Sequence, residues 1–90
     1  MARDADQIAQ DHAAMLGSVS VITSVIATHN KGSDATSEDF GHDMTHDEKK
    51  ARVARSNGYL VHMKALDDWG SESFTAIDAA ISAANTFADS

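Results

Sequence analysis

The stretch IAQDHAAMLGSVSVITSVIATH, Ile8 to His29, decides how this chain is read. Ile8, His12, Met15, Val19, Ile22, Ile26 and His29 alternate spacings of four and three without a slip. That is the a/d stripe of a coiled-coil-like helix, and Ala5 extends it by one place. Leu16 and Val25 flank the stripe and widen it, while Asp4, Asp6 and Asp11 place negative charge in the early turns, where the helix dipole favours it. Two features pull the other way. Gly17 lies inside the run and costs about 1 kcal/mol relative to alanine. From Val19 to Ile26, six of eight residues are β-branched, and Val19, Val21, Thr23 and Val25 alternate as a strand would. A match at seven successive helical positions outranks that short alternation, so a helix is expected over residues 3–29.

Working outward, residues 30–44 read as an exposed loop. Lys31-Gly32-Ser33-Asp34 stops the first helix, and Phe40 is the large apolar side chain that would anchor the segment to the body. Thr45 and Glu48 then form a capping-box pair, which opens a second helix over residues 46–68 with Gly70 as its stop. One face of that helix carries Ala51, Ala54, Gly58, Val61 and Ala65, small enough for another helix to approach closely, with Trp69 closing the end. Val53, Leu60 and Met63 project elsewhere, the pattern of a helix covered from more than one side. Ser71 caps a third helix over residues 72–88, with Glu72 in its first turn. Its apolar face is Phe74, Ile77, Ala80, Ile81, Ala84 and Phe87; Thr75, Asp78, Ser82, Asn85 and Asp89 face water. The fold class is therefore all-α: a single-domain three-helix bundle over residues 1–90, with a long first helix and an antiparallel hairpin in its C-terminal half.

Composition narrows the chemistry. The 90 residues include no cysteine and no proline, which removes disulfide scaffolds, cysteine-ligated metals and proline-rich disorder. Fourteen acidic against seven basic side chains leave a net charge of −7, unfavourable for nucleic acid or an anionic membrane. The acidic start Arg3-Asp4-Ala5-Asp6 is unlike a signal peptide. The uncharged stretch from Ala13 to Thr28 is interrupted by Ser18, Ser20, Thr23 and Ser24 and falls short of the roughly 18 apolar residues of a membrane span.

Length argues for assembly. A first helix of roughly 27 residues is about 40 Å long, against a diameter near 30 Å for a compact chain with a radius of gyration of about 12 Å. The overhanging stripe needs a partner, and a second copy is the commonest one. Successive Val19, Ile22 and Ile26 lean toward three or four strands if the pairing is parallel.

The candidate sites are of three kinds. His42 and His46 stand four apart with carboxylates beside each, a zinc-like spacing that Glu38 and Asp39 would complete, although the cap at Thr45 leaves His42 outside the helix. The simpler reading is a solvated helix entrance. His12 and His29 fall on the apolar stripe, either as satisfied core histidines or as a pH-sensitive seam between copies. Lys49, Lys50, Arg52 and Arg55 make the one basic run, either a solvated face among Asp43, Asp47 and Glu48 or a patch for an anionic partner. Enzyme motifs are lacking: there is no nucleophile elbow, no glycine-rich phosphate loop and no His-Glu-x-x-His helix. Asp67-Asp68 reads as a polar turn rather than an acid–base pair.

The stretch Asn57-Gly58-Tyr59-Leu60-Val61-His62-Met63, followed by Asp67-Asp68-Trp69-Gly70, Glu72, Ile77, Ala80-Ile81, Ala84 and Phe87, resembles the end of small helical proteins encoded by tailed phages. The resemblance covers residues 57–87 and brings no catalytic or binding residue with it; it implies a virion or accessory role. The expectation is a structural or interaction protein that takes no cofactor. It would be a homo-oligomer with Ile8, His12, Met15, Val19, Ile22, Ile26 and His29 as its seam, touching a larger protein partner and no membrane. Its place would be the cytoplasm, or a virion if phage-encoded. The alternatives are a small regulator gripping nucleic acid through the basic run, and a metal-binding bundle using His42 and His46.

Overall fold

The computed structural model describes residues 3–90. Three α-helices are joined by two irregular segments: α1 spans Ala5–Lys31, α2 His46–Lys64 and α3 Thr75–Ala88, with a short 3-10 turn at Gly32–Asp34. Among the described residues there is no strand. Gly17 does not break α1, and the β-branched run is helical throughout. The hydroxyls in that run bond within the helix: Thr23 donates to the Val19 carbonyl at 2.9 Å, and Thr28 lies 2.9 Å from the Ser24 carbonyl. Alternation in the sequence loses because Ile22 and Val25, three apart, both turn inward and are fully buried.

Contacts along α1 give the topology. Its first turns meet the end of α2, where the Arg3 guanidinium bonds the Asp67 carbonyl and lies 4.2 Å above the Trp69 ring. Its last turns meet the start of α2, where His29 stacks on His46. The two helices are therefore antiparallel. α3 begins beside His12, against Phe74, and ends beside His29, against Phe87, so it runs parallel to α1 and antiparallel to α2. The core joins Met15, Ile22 and Val25 of α1 to Val53 and Leu60 of α2 and Ile77, Ala80, Ala84 and Phe87 of α3, with Trp69 sealing one end. The bundle is elongated, 48 × 25 × 18 Å, and its radius of gyration of 14.4 Å exceeds the compact value of about 12 Å.

Side-chain caps close two of the three helix starts, the second of them the expected box. Asp4 accepts from the Gln7 amide at 2.7 Å, and Thr45 and Glu48 exchange both bonds of the capping box. The hairpin between α2 and α3 differs from expectation. α2 ends at Lys64, not near Asp68, and α3 starts at Thr75, not at Ser71. The cause is Trp69. Its indole N–H donates to the Met63 carbonyl at 3.2 Å and its ring packs edge-on against Phe74, so the chain must leave the helix to fold the ring back. Asp68, at φ 70°, makes the sharp bend, ahead of Gly70. Ser71 caps nothing, because Glu72 and Ser73 are held in the turn by His12.

Two further expectations are corrected. The small-residue face of α2 (Ala51, Ala54, Gly58, Val61, Ala65) points to solvent, and the buried side is Val53, Ser56 and Leu60. Phe40 does not anchor the loop by its ring, which is 49% exposed. Its carbonyl is the anchor, 2.8 Å from the buried Thr28 hydroxyl. Lys31 pairs with Asp39 at 2.6 Å, and the Thr36 amide donates to the same carboxylate at 2.9 Å.

Ile22→Ala is expected to cost about 2–5 kcal/mol in chemical denaturation, because the site is sealed on all sides. Gly17→Ala is expected to gain up to about 1 kcal/mol, since a methyl group there meets no atom within 4 Å. Thr45→Ala is expected to cost about 1 kcal/mol through the lost cap.

Candidate functional site

The stripe on α1 is occupied by the chain's own helices. Met15 and Ile22 are fully buried, and Ile8, Val19 and Ile26 pack on the same core. His12 faces the start of α3: Nε2 lies 2.6 Å from the Ser73 carbonyl and Nδ1 3.3 Å from the Glu72 carboxylate. His29 faces the end of α3, with its ring 5.1 Å from that of Phe87. A second copy could reach Met15 and Ile22 only by displacing α2 and α3, while Ile8, Val19 and Ile26 are partly covered by the same helices. The seam expected from the sequence, and the idea of His12 and His29 repelling their counterparts across it, are corrected to intramolecular contacts.

The opposite side of α1 is what remains for a partner. Ala9, Ala13, Leu16, Ser20, Thr23 and Ala27 are all exposed and repeat the alternation of four and three along the outer face. From His12 to Asn30 the chain carries no Asp, Glu, Lys or Arg, so this strip is uncharged on a protein of net charge −7. Leu16 is its one large side chain, 39% exposed. Sequence reading missed the strip because its residues are small and polar-tolerant; the signal was the same spacing begun at Ala9. By length and composition, Ala5–Asp34 is also long and apolar enough to cross a membrane, with only a minority of its apolar window buried by the chain. A crossing would strip Met15, Ile22 and Val25 from the core and bare Leu60, Ile77 and Phe87.

His42 and His46 do not converge. His42 is exposed in the loop, while His46 turns onto His29, ring centroids 4.5 Å apart and planes 21° from parallel. Its Nε2 sits 2.9 Å from the Ser90 hydroxyl, which itself donates to the Phe87 carbonyl at 2.6 Å. With the hydroxyl proton committed, His46 Nε2 carries the hydrogen of that contact. Among the described residues no three His, Asp or Glu side chains gather as a metal site. His29 holds its proton less tightly than an ordinary histidine, first because burial disfavours the charged ring and then because His46 and Lys49 are close. The pairing was invisible in sequence, since it depends on the loop returning α2 to the end of α1.

The basic run is divided among separate local partners. Lys49 lies near His29, Lys50 donates to the Ser90 carbonyl at 3.1 Å, and the Arg52 guanidinium sits 5.9 Å from the Phe40 ring. Arg55 is exposed. Two of the four, Lys50 and Arg52, are thus turned toward groups of their own chain. The acidic groups behave similarly: Asp11 is held below the usual carboxylate range by hydrogen bonds from Arg3 and then Gln7, and Asp39 by hydrogen bonds from Lys31 and then the Thr36 amide. Both are structural clamps.

Two open grooves complete the surface. One, of about 380 Å³, lies between the ends of α1 and α3 against Ile26, His29, Asn30, Ala83, Thr86, Phe87 and Ser90. The other, of about 390 Å³, lies between α2 and α3 against Val61, Lys64, Ala65 and Ile81. Comparison with known protein families, curated proteins and solved structures finds no match to this chain.

Proposed function

We propose that this chain is a self-associating helical interaction protein, and that a second copy packs along the outer face of α1. The observation that carries the reading is the exposed, uncharged strip of Ala9, Ala13, Leu16, Ser20, Thr23 and Ala27. Acidic copies repel one another over most of their surface, and this strip is where two can meet without opposing charges. Small side chains let two helix axes come close, and Leu16 lies near the middle of the 27-residue helix. A two-fold axis there lets both helices overlap along their full length, with each Leu16 against the partner's small residues. Gly17 fits the same picture: it weakens the helix, and nothing in its own chain fills the space above it.

A virion or accessory role, which the resemblance of residues 57–87 would imply, is part of the same proposal and rests on that resemblance alone. The divergent cations and the absence of a gathered ligand set among the described residues make nucleic acid and metal weaker readings.

Light scattering and sedimentation test the proposal. The wild-type chain is expected to run at a multiple of 9.6 kDa. Leu16→Glu is expected to run as a monomer with unchanged helical circular dichroism, because the side chain lies outside the core. A wild-type monomer at about 100 μM, well above the dissociation constants of specific assemblies, overturns it. So does flotation of the wild type, but not of Leu16→Glu, with lipid vesicles.

A further inference from the structure

One end of the bundle is closed by an aromatic trio drawn from all three helices. His29 lies near the end of α1, His46 is the first residue of α2 and Phe87 lies near the end of α3. The imidazoles stack at 4.5 Å; Phe87 stands edge-on to His29 at 5.1 Å and tilted against His46 at 5.8 Å. The hydrogen bond from His46 to the Ser90 hydroxyl and the one from Lys50 to the Ser90 carbonyl fasten Ser90 over the same point. We propose that this junction is a pH-operated latch, closed while both rings are neutral and opened when acid charges them.

The surroundings supply no compensation. On α1, Lys31 is near but is paired with Asp39. On α2, His46 is followed by Lys49 and Lys50, and the Glu48 carboxylate is taken by the Thr45 amide. Asp47 and Asp89, from α2 and the end of α3, and Asp43 and His42, from the loop, make no ion pair with either ring, and among the described residues no carboxylate does. Two protonated rings would thus face each other with Lys49 beside them. The dipoles divide: the end of α1 favours a cation on His29 and the start of α2 disfavours one on His46. At His29 burial, His46 and Lys49 win, and its affinity for a proton falls below the ordinary value of 6.5. The sign follows by linkage. A histidine depressed in the folded state contributes stability above about pH 6.5, and that contribution is lost as pH falls through the folded value. The adjoining groove against Ile26, His29 and Phe87 gives water a path to the rings, so opening bares Phe87 without disturbing the far end.

The test is amide hydrogen exchange combined with NMR titration of the histidine rings. Between about pH 7.5 and pH 5, protection at residues 84–88, corrected for intrinsic rates, is expected to fall at least about tenfold. Trp69 fluorescence, at the opposite end, is expected to stay constant. His29→Gln/His46→Gln is expected to abolish the difference, and the exposed His62→Gln to keep it. Unchanged protection in the wild type overturns the latch, as does a loss of protection that the double variant shares. Should the double variant not fold, the wild type still decides: a His29 ring titrating at or above the ordinary value overturns it.

Discussion

Everything in this fold follows from covering one long helix with two short ones. α1 is about 40 Å long, while α2 and α3, at 19 and 14 residues, reach only about 28 and 21 Å. α3 therefore spans α1 only from His12 to His29, and the first turns of α1 are closed by the turn that carries Trp69. Two helices also cannot surround a third. The side of α1 that carries Met15, Ile22 and Val25 is sealed, and the side that carries Leu16 is open. The packing partners, the irregular turn and the bare outer strip are consequences of that one mismatch.

Most of the architecture was legible from spacing. The stripe from Ile8 to His29 gave α1 to within two residues at each end, and Thr45 with Glu48 placed the start of α2. What spacing could not convey was direction and competition. The same stripe is compatible with burial against the chain's own helices or against another copy, and only the return path of the chain decides. Small residues on α2 were read as a contact face because size permits close approach; Val53 and Leu60 bury more apolar area and took the inside instead. The boundaries at Lys64 and Thr75 were misplaced because a buried tryptophan outweighs the helical preference of the three or four residues on either side of it. Of the candidate site residues, His46 was picked for a partner it does not touch, and its real neighbour, His29, is 17 positions away in sequence.

The two ends of the bundle are sealed by different chemistry. At one, Arg3 lies on Trp69 and pairs with Asp11 at 2.8 Å, a clamp between opposite charges. Asp11 stays ionised to pH values below the ordinary carboxylate value of 3.8, so this end keeps its attraction into acid. At the other, neutral aromatic rings meet with cations nearby and no opposing carboxylate among the described residues. The two ends therefore differ in how they meet added positive charge: His29 and His46 have no carboxylate paired with them among the described residues, while His12, at the Trp69 end, lies 3.3 Å from the Glu72 carboxylate.

Three is an odd number of helices, so Arg3 and Ser90 lie at opposite ends of the long axis. Tension applied at Arg3 and Ser90 would draw α1 and α3, which run parallel, past each other in shear. Their side-chain contacts would then resist together, where a hairpin pulled from one end gives way contact by contact.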